Sequence, residues 1–242
     1  MTAQRRIGLW SLIAGHAAGG PVTLEHVCTA MVSTCRVDGA AVAVSLPAAP
    51  RETVFASDQV ASDMEELSLT LGEGPCVDAV ASGPVLVPDV MAPHCLARWP
   101  VFVPAAGRAG VRAVFALPLH VGGIHTGVVD LYRGQPGEMN REQLTDALVL
   151  ADIAFALLLD APAGDRRHDG HWPESTGPQH PEVHQATGMV SVQLGVTAAV
   201  ALTRLRAYAY AHDRRLHEVA GDVVARRLRF NPDRADEDRG GC

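Results

Sequence analysis

The chain has 242 residues, enough for one large domain or for a medium domain followed by a small one. Apolar residues make up 48% and charged residues 19% of the sequence, a composition that supports a sizeable core and excludes global disorder. The net charge of −7 argues against a nucleic-acid partner for the chain as a whole.

The sequence predicts neither a membrane span nor a disulfide framework. No apolar run approaches the ~20 residues that a bilayer requires, and Gly, His and Ser interrupt the apolar residues after Arg5 and Arg6. We therefore expect a cytoplasmic protein that does not enter a membrane. An odd number of cysteines without a C-x-x-C pair predicts no disulfide set and no zinc site, and we expect no metal and no cofactor. The cysteines are Cys28, Cys35, Cys76, Cys95 and Cys242.

In chain order, the first 160 residues predict an α+β layer built on an antiparallel sheet. Apolar residues at helical spacing indicate helices, and β-branched runs bounded by Gly and Pro indicate strands. Gly122-Gly123 separates the two clearest strands and suits a tight hairpin. The predicted elements are two helices within 4–35, strands over 40–46 and 52–56, a helix over 58–71, a short helix from Pro75, a strand over 84–89, a helical stretch up to Ala109, strands over 112–120 and 123–132, and a helix over 140–160.

The composition changes at residue 161. Residues 161–180 are rich in Pro, Gly and charge and predict a linker, whereas 231–242 predict a flexible tail. Residues 180–230 contain seven arginines and four acidic residues and are therefore net positive. Residues 1–160 contain nine arginines and sixteen acidic residues and are net negative. The charge of the C-terminal segment, rather than that of the whole chain, bears on nucleic-acid binding.

Residues 181–230 predict a small all-α bundle of three helices. The first helix starts at Pro181 and stops before Gly195, Thr197 caps the second, and the third begins near His217. A bundle of this size is near the lower limit for independent folding, so we expect attachment or dimerisation to support it.

On the second of these helices, arginine and tyrosine recur four residues apart, in the pairs Arg204–Tyr208 and Arg206–Tyr210. Guanidinium planes and aromatic rings stack on unpaired bases, and arginine also binds phosphate. This surface favours the splayed bases of RNA loops over the major groove of B-DNA, which is read by side chains at the start of an inserted helix. Three further candidates lie at the junction with the third helix: His212, Arg214 and Arg215.

The first 160 residues contain four motifs: Gly72-Glu73-Gly74-Pro75-Cys76-x-Asp78-Ala79, Arg98-Trp99-Pro100, Pro118-Leu119 and Gly127-x-x-Asp130-Leu131-Tyr132. In this order they resemble the GAF domain. The resemblance covers about residues 5–160 and implies a ligand pocket between the sheet and the inserted segment 72–110. The sequence contains neither the Asn-Lys-x-Phe-x-Asp-Glu pattern of cyclic-nucleotide binders nor the Cys-His pair of bilin attachment. The expected pocket residues are Cys76, Phe102, Val114 and Val128.

Cys76 opens two alternatives to a pure binding role. It follows Pro75 at a predicted helix start, a setting that lowers the pKa of an exposed thiol and suits a redox sensor. A GAF-type methionine sulfoxide reductase would use Cys76 together with Cys95. No Ser/His/Asp set, P-loop or paired-carboxylate motif has a convincing context, so we expect a protein that is not an enzyme.

The C-terminal segment contains the runs Gln185-Ala186-x-Gly188, Leu205-Arg206-x-x-Ala209 and Arg214-x-Leu216-x-x-Val219-Ala220. With these runs it resembles the ANTAR domain, a three-helix RNA-binding module of bacterial antitermination regulators. The GAF-like motifs resemble the subtype found ahead of such modules in actinobacterial regulators. The resemblance to the ANTAR domain implies that the segment recognises an RNA with two adjacent hairpins whose loops are hexanucleotides. Binding would stabilise this RNA structure at the expense of a terminator hairpin. Thr187 stands where many members have a basic residue, and Asp213 where an Asn is frequent. The implied RNA-binding residues are Gln185, Thr187, Gly188, Arg204, Arg206, Tyr208, Tyr210, His212, Arg214 and Arg215.

A third hypothesis makes the first domain a dimer platform. The helices over 4–18 and 140–160 flank that domain and can pack against the copies of a partner as a four-helix bundle. A homodimer would bring two RNA readers together, which suits a two-hairpin ligand through avidity. An unidentified small molecule in the GAF domain could then shift the arrangement, provided that it prefers one state.

Overall fold

The structure, a computed structural model, describes residues 3–44, 51–121, 124–160 and 180–231. The predicted linker up to residue 179, the tail from residue 232 and the Gly122-Gly123 turn lie outside the described residues. The helices are α1 Ala3–His16, α2 Leu24–Cys35, α3 Gln59–Leu71, α4 Pro75–Ser82, α5 Pro93–Arg98, α6 Phe102–Arg108, α7 Arg141–Asp160, α8 Pro181–Leu194, α9 Ala198–Ala211 and α10 Leu216–Val224. The strands are β1 Gly39–Val44, β2 Glu52–Ala56, β3 Val85–Val87, β4 Ala113–Val121 and β5 Ile124–Arg133.

The five strands form one antiparallel sheet in the order β2-β1-β5-β4-β3. Side chains alternate between its faces, because successive residues of a strand point in opposite directions. Phe115 and Leu131 pack with α1, α2 and α7 on one face, while Val114 and Val128 pack beneath α3, α4 and α6 on the other. An α+β fold, with an antiparallel sheet flanked by helices and followed by a helical segment, is therefore confirmed.

The Gly-Glu-Gly-Pro-Cys motif and the Arg-Trp-Pro motif hold each other in place. The Glu73 carboxylate accepts hydrogen bonds from the backbone N–H groups of Val101 and Phe102, at 2.8 and 2.7 Å, and so satisfies donors at the start of α6. Asp78 in α4 accepts a hydrogen bond from the Trp99 indole at 3.1 Å and pairs with Arg98 at 2.6 Å. These contacts fix the crossover that covers one face of the sheet.

Helices α8, α9 and α10 form the predicted bundle around a common apolar core. Gly195 ends α8 in the left-handed conformation, with φ of 64°, and the Thr197 hydroxyl accepts a hydrogen bond from the Val200 N–H at the start of α9. The core is completed from outside the bundle, because Leu69 of α3 is buried among the bundle side chains. The buried side chains of the bundle are Val183, Ala186, Val190, Ala201, Leu205, Ala209, Leu216, Val219, Ala220 and Val223.

The bundle thus packs directly on α3. The Arg206 guanidinium donates to the Leu69 carbonyl at 2.7 Å, and the Leu216 N–H donates to the Thr70 hydroxyl at 3.2 Å. Gly72, which ends α3 with φ of 68°, leaves room for this approach, since a Cβ there would lie 2.9 Å from Arg206 Nη1. Two domains that the sequence separates by a linker therefore share an interface in the structure.

Among the described residues, no single helix has the length and apolar character of a membrane span; only α8 and α9 together reach that composition, and they are bent by 105° to one another.

We predict that Glu73→Ala lowers the free energy of unfolding by about 1–3 kcal/mol, because two backbone donors at the start of α6 lose their acceptor. Glu73→Gln is the matched control, since it keeps a side-chain carbonyl at the same position and should lose less. Urea unfolding followed by circular dichroism measures both. Equal stability of the alanine variant and the wild type would contradict this role for Glu73.

Candidate functional site

A small cavity lies between the sheet and helices α3, α4 and α6. Its volume of about 20 Å³ accommodates one water molecule or one small ion. Three of the four predicted pocket residues, Cys76, Phe102 and Val114, line it; Val128 is buried in the same apolar cluster but does not line the cavity. The full lining is Ala41, Ala61, Met64, Glu65, Ser68, Pro75, Cys76, Phe102, Val114, Asp130, Leu131 and Tyr132.

Charged groups that the sequence analysis did not assign to the pocket lie beside this mainly apolar cavity. Arg51 Nη2 lies 3.2 Å from Glu65 Oε2, and Arg51 Nη1 lies 2.8 Å from Cys76 Sγ. Both carboxylate oxygens of Asp130 are buried without a hydrogen-bond partner among the described residues. The one signal in the sequence was the position of Asp130, an acidic residue between apolar neighbours in the middle of a central strand.

The thiols are poor candidates for redox chemistry. Burial raises the pKa of Cys76 to about 12, despite the opposing effect of the nearby Arg51 guanidinium. A helix start lowers the pKa of an exposed thiol, but Cys76 at the start of α4 faces the core rather than solvent, so the condition for a lowered pKa is not met. Burial also raises the pKa of Cys95. Since the thiolate is the reactive form, neither the redox sensor nor the sulfoxide reductase is favoured.

Asp130 is a buried acid whose charged form is disfavoured. Burial and the neighbouring Glu65 carboxylate raise its pKa well above the usual aspartate value, and the positive charge of Arg51 only partly offsets this. Its protonated form therefore persists above the pH at which an exposed aspartate ionises. As a protonated acid, Asp130 could donate a hydrogen bond to a group in the cavity.

The predicted RNA-binding residues divide between two sides of the bundle. Arg206 points towards α3 and is largely covered there, and this burial lowers its pKa, with a smaller effect of Arg51. Arg215 lies 3.3 Å from Asp63 of α3 but stays half-exposed, so that ion pair is weak. Tyr210 is 60% exposed and, with Arg214 and Arg215, lines the groove between the bundle and helices α3 and α6.

Arg214 is engaged within the bundle itself. Its guanidinium lies 2.8 Å from Asp222 Oδ2 and 3.7 Å from Glu218 Oε2. Arg227 pairs with the same Asp222 at 2.8 Å. Much of the positive charge at the start of α10 is therefore already balanced by carboxylates of that helix.

A second strip, along α9 and the residue that follows it, consists of Arg204, Tyr208 and His212. Arg204 and His212 are exposed, whereas Tyr208 is half-buried against the bundle core. The Tyr208 and His212 rings are stacked, with centroids 3.9 Å apart and planes inclined by 19°. Arg204 is exposed one turn before Tyr208. The strip therefore combines a guanidinium with a stacked pair of rings, groups on which unpaired bases can stack.

This strip is connected to a groove along α8. Phe230 packs edge-on against Tyr208, at 5.6 Å between centroids, and its N–H donates to Gln193, which lines the groove. Two predicted residues, Gln185 and Gly188, are exposed there. The sequence did not single out the exposed arginines of the groove. Its lining is Gln185, Gly188, Met189, Val192, Gln193, Arg226 and Arg229.

Thr187 is placed differently from its neighbours Gln185 and Gly188. Its side chain is buried, and its hydroxyl donates to the Val183 carbonyl at 2.7 Å. In this arrangement the hydroxyl already has a partner within α8 and is not presented to a ligand.

Glu66, His180 and His217 meet at the interface between α3 and the bundle. His180 Nε2 lies 2.7 Å from Glu66 Oε2, and His217 Nδ1 lies 2.8 Å from Glu66 Oε1. Burial alone would raise the pKa of Glu66, but hydrogen bonds and charges from the two histidines lower it to about 2. Burial opposes the charged form of His180, yet Glu66 and Glu182 raise its pKa above the ordinary value. The buried carboxylate is thus stabilised by residues of the bundle.

Family models identify both parts of the chain. Residues 21–158 match the model of the GAF domain, which spans more than half of the sequence, so the protein belongs to the GAF domain family. Residues 179–224 match the model of the ANTAR domain. An ANTAR domain implies an RNA-binding antitermination regulator and a GAF domain implies sensing; both are typically regulatory rather than enzymatic.

Several solved structures are similar to the first domain. The GAF domain of a phosphoenolpyruvate-protein phosphotransferase from Coxiella burnetii is 13% identical, with a TM-score of 0.48, and the match covers 66% of this chain and 95% of that one. The corresponding domain from Acinetobacter is 10% identical, with a TM-score of 0.47 and the same two coverages. No curated protein matches the chain.

We predict that Asp130→Asn stabilises the protein more at pH 8 than at pH 5. The folded-state pKa of Asp130 is raised, so the wild type loses stability as the pH rises from the unfolded-state pKa towards the folded one, by at most about 1.4 kcal/mol per pH unit. The amide does not titrate and removes this loss. Thermal melting of both proteins at the two pH values measures the difference, and parallel pH profiles would contradict the prediction.

Proposed function

We propose that the protein binds tandem hairpin loops of nascent transcripts through its ANTAR domain and thereby prevents a terminator hairpin from forming. The protein would act in the cytoplasm as a homodimer, with the GAF domain sensing a signal. The observation that carries the proposal is the strip of Arg204, Tyr208 and His212, which lies within the matched ANTAR segment and has Arg204 and His212 exposed on either side of the half-buried Tyr208.

The strip suits unpaired bases for a physical reason. Two stacked rings offer flat apolar faces, and an arginine one turn away supplies both a planar guanidinium and a positive charge. Bases in a hairpin loop are splayed and can stack on such faces, whereas paired bases cannot. The adjoining groove, with Arg226 and Arg229, adds positive charge for the loop backbone.

The docked arrangement presents only part of the predicted surface. Arg206 is held against the Leu69 carbonyl, and Arg215 faces Asp63. The partly exposed carboxylate of Asp63 also lies next to the bundle, where it disfavours phosphate. We therefore propose that the bundle leaves α3 when the full RNA surface is used.

A signal from the GAF domain can reach the bundle through α3. Met64, Glu65 and Ser68 line the cavity, while Leu69 and Thr70 contact the bundle. At about 20 Å³ the cavity is too small for an organic molecule, so a small-molecule ligand would have to widen it and displace α3. Such a ligand favours undocking only if it binds better to the displaced state.

Dimerisation is supported by apolar side chains on the outer surfaces of α1 and α7. Ile7 and Trp10 of α1 are 58% and 44% exposed, and Leu148 and Leu159 of α7 are 40% and 58% exposed. Arg5 pairs with Asp146, which holds the two helices together. The same faces of a second copy would complete a four-helix bundle.

We predict that Arg204→Ala and Tyr208→Ala each weaken binding to a tandem-hairpin RNA by about 5- to 150-fold, because stacking on one base contributes about 1–3 kcal/mol. Fluorescence anisotropy with a labelled RNA measures the affinity. Binding should also weaken with added salt, as phosphate contacts release counterions.

The matched control for these variants is Arg112→Ala, which removes the same charge from the GAF domain, where Arg112 pairs with Asp89. It should leave RNA affinity within about twofold of the wild type. If all three variants bind the RNA as tightly as the wild type, the bundle surface is not the RNA site.

We predict that Trp10→Glu shifts the protein from dimer to monomer in light scattering coupled to gel filtration, because a charge in the four-helix interface would be buried without a partner. Leu96→Glu is the control, since Leu96 is equally exposed on α5, away from α1 and α7. A wild type with monomer mass at every concentration would refute the dimer.

A further inference from the structure

Three distant parts of the chain bring potential metal ligands to one point. Glu66 comes from α3, His180 immediately precedes α8, and His217 lies in the first turn of α10. One ligand atom of each lies within 4.8 Å of the others. Glu66 is buried, whereas the side chains of His180 and His217 are 24% and 29% exposed, so an ion can reach the group from solvent.

The distances are close to those of a coordination site. The two nitrogen–oxygen distances to Glu66 are 2.7 and 2.8 Å. Zn²⁺ binds imidazole nitrogen and carboxylate oxygen at about 2.0–2.1 Å in a tetrahedron, which puts its ligand atoms about 3.3 Å apart. The two nitrogens lie against different oxygens of Glu66, and the His180 and His217 rings are stacked with centroids 4.6 Å apart. To bind one ion, the side chains must therefore move outward and the rings must turn so that their nitrogens converge. Two histidines and one glutamate are an established ligand set for zinc.

The surroundings of His180 fit those of a metal-binding histidine. Its Nε2 faces Glu66, and its Nδ1 lies 3.2 Å from the carboxylate of Glu182. A neutral imidazole carries only one N–H and cannot donate to both carboxylates, whereas an imidazolium can. With a cation at Nε2 in place of the second proton, Nδ1–H still donates to Glu182. A carboxylate that orients a metal-binding histidine in this way is a regular feature of metal sites.

We propose that Glu66, His180 and His217 bind a divalent cation of the zinc class, and that this ion clamps the bundle onto α3. The ligands belong to both domains, so the site exists only while the bundle is docked. Binding to one state stabilises that state by mass action. The cation therefore shifts the protein towards the arrangement in which Arg206 and Arg215 lie against α3.

The consequence for RNA rests on the proposed function. If RNA binds the undocked state and the cation binds the docked state, each weakens the other. At a free ion concentration of 100 times its Kd, the RNA affinity should fall by up to about 100-fold. The protein would then respond to the availability of the metal.

The first test is calorimetric titration of the chelator-treated full-length protein with Zn²⁺. The wild type should bind one ion that His180→Ala and His217→Ala each lose, with a Kd at least tenfold higher in the variants. Glu182→Gln should weaken binding about 10-fold or more. His94→Ala is the control, since His94 is exposed on α5 and should leave binding unchanged. Zinc binding that is identical in the wild type and in both histidine variants would overturn the site.

The second test measures anisotropy of a labelled tandem-hairpin RNA with and without Zn²⁺. RNA affinity should fall at least tenfold with zinc in the wild type and stay constant in His217→Ala. If zinc binds at the site but does not change RNA affinity, the clamp is refuted. If zinc binds and neither protein binds RNA, the proposed function fails while the metal site stands.

Discussion

The packing of the helical bundle on α3 is the contact on which the rest of the structure depends. Leu69 of α3 is buried in the core of the bundle, and Arg206 and Leu216 of the bundle donate hydrogen bonds to α3. A bundle of about fifty residues buries little apolar surface on its own. The GAF domain therefore contributes to the stability of the ANTAR domain and at the same time covers part of its surface.

Helix α3 has two faces with separate partners. Glu65 and Ser68 face the cavity above the sheet, and Glu66, Leu69 and Thr70 face the bundle. Under the proposed function, α3 is the element through which a change on the cavity side would reach the bundle, since it contacts both. The adjacent residues Glu65 and Glu66 point to these two different faces. Glu65 pairs with Arg51 at the cavity, and Glu66 pairs with His180 and His217 at the bundle.

Local signals in the sequence were sufficient to predict most helices and strands, but they could not predict which residues meet at the candidate sites. Pro181, Gly195 and Thr197 mark the ends of α8 and the start of α9 because their conformational preferences act within a few residues. Helix α5 went unnoticed because its six residues carry no periodicity. Helix α7 is apolar on most sides, so its sequence pattern does not select one buried face, and Leu148 is 40% exposed.

The sites depend on contacts between residues far apart in the chain. Arg51, Glu65 and Asp130 meet only after the sheet and α3 have packed, as do Glu66, His180 and His217 after docking. The spacing of Arg206 and Tyr210 could not reveal that one side of α9 is turned towards α3. The sequence also could not show whether Cys76 is exposed. A helix start lowers the pKa of an exposed thiol, but the start of α4 lies in the core and burial raises the pKa of Cys76.

The most direct measurement compares the RNA affinity of the full-length wild type with that of Leu69→Ala, using a labelled tandem-hairpin RNA. Loss of the Leu69 side chain from the bundle core weakens docking, so the account predicts several-fold tighter RNA binding by the variant, with its helix content preserved. Unchanged or weaker binding by a folded variant, or no binding by either protein, would contradict it.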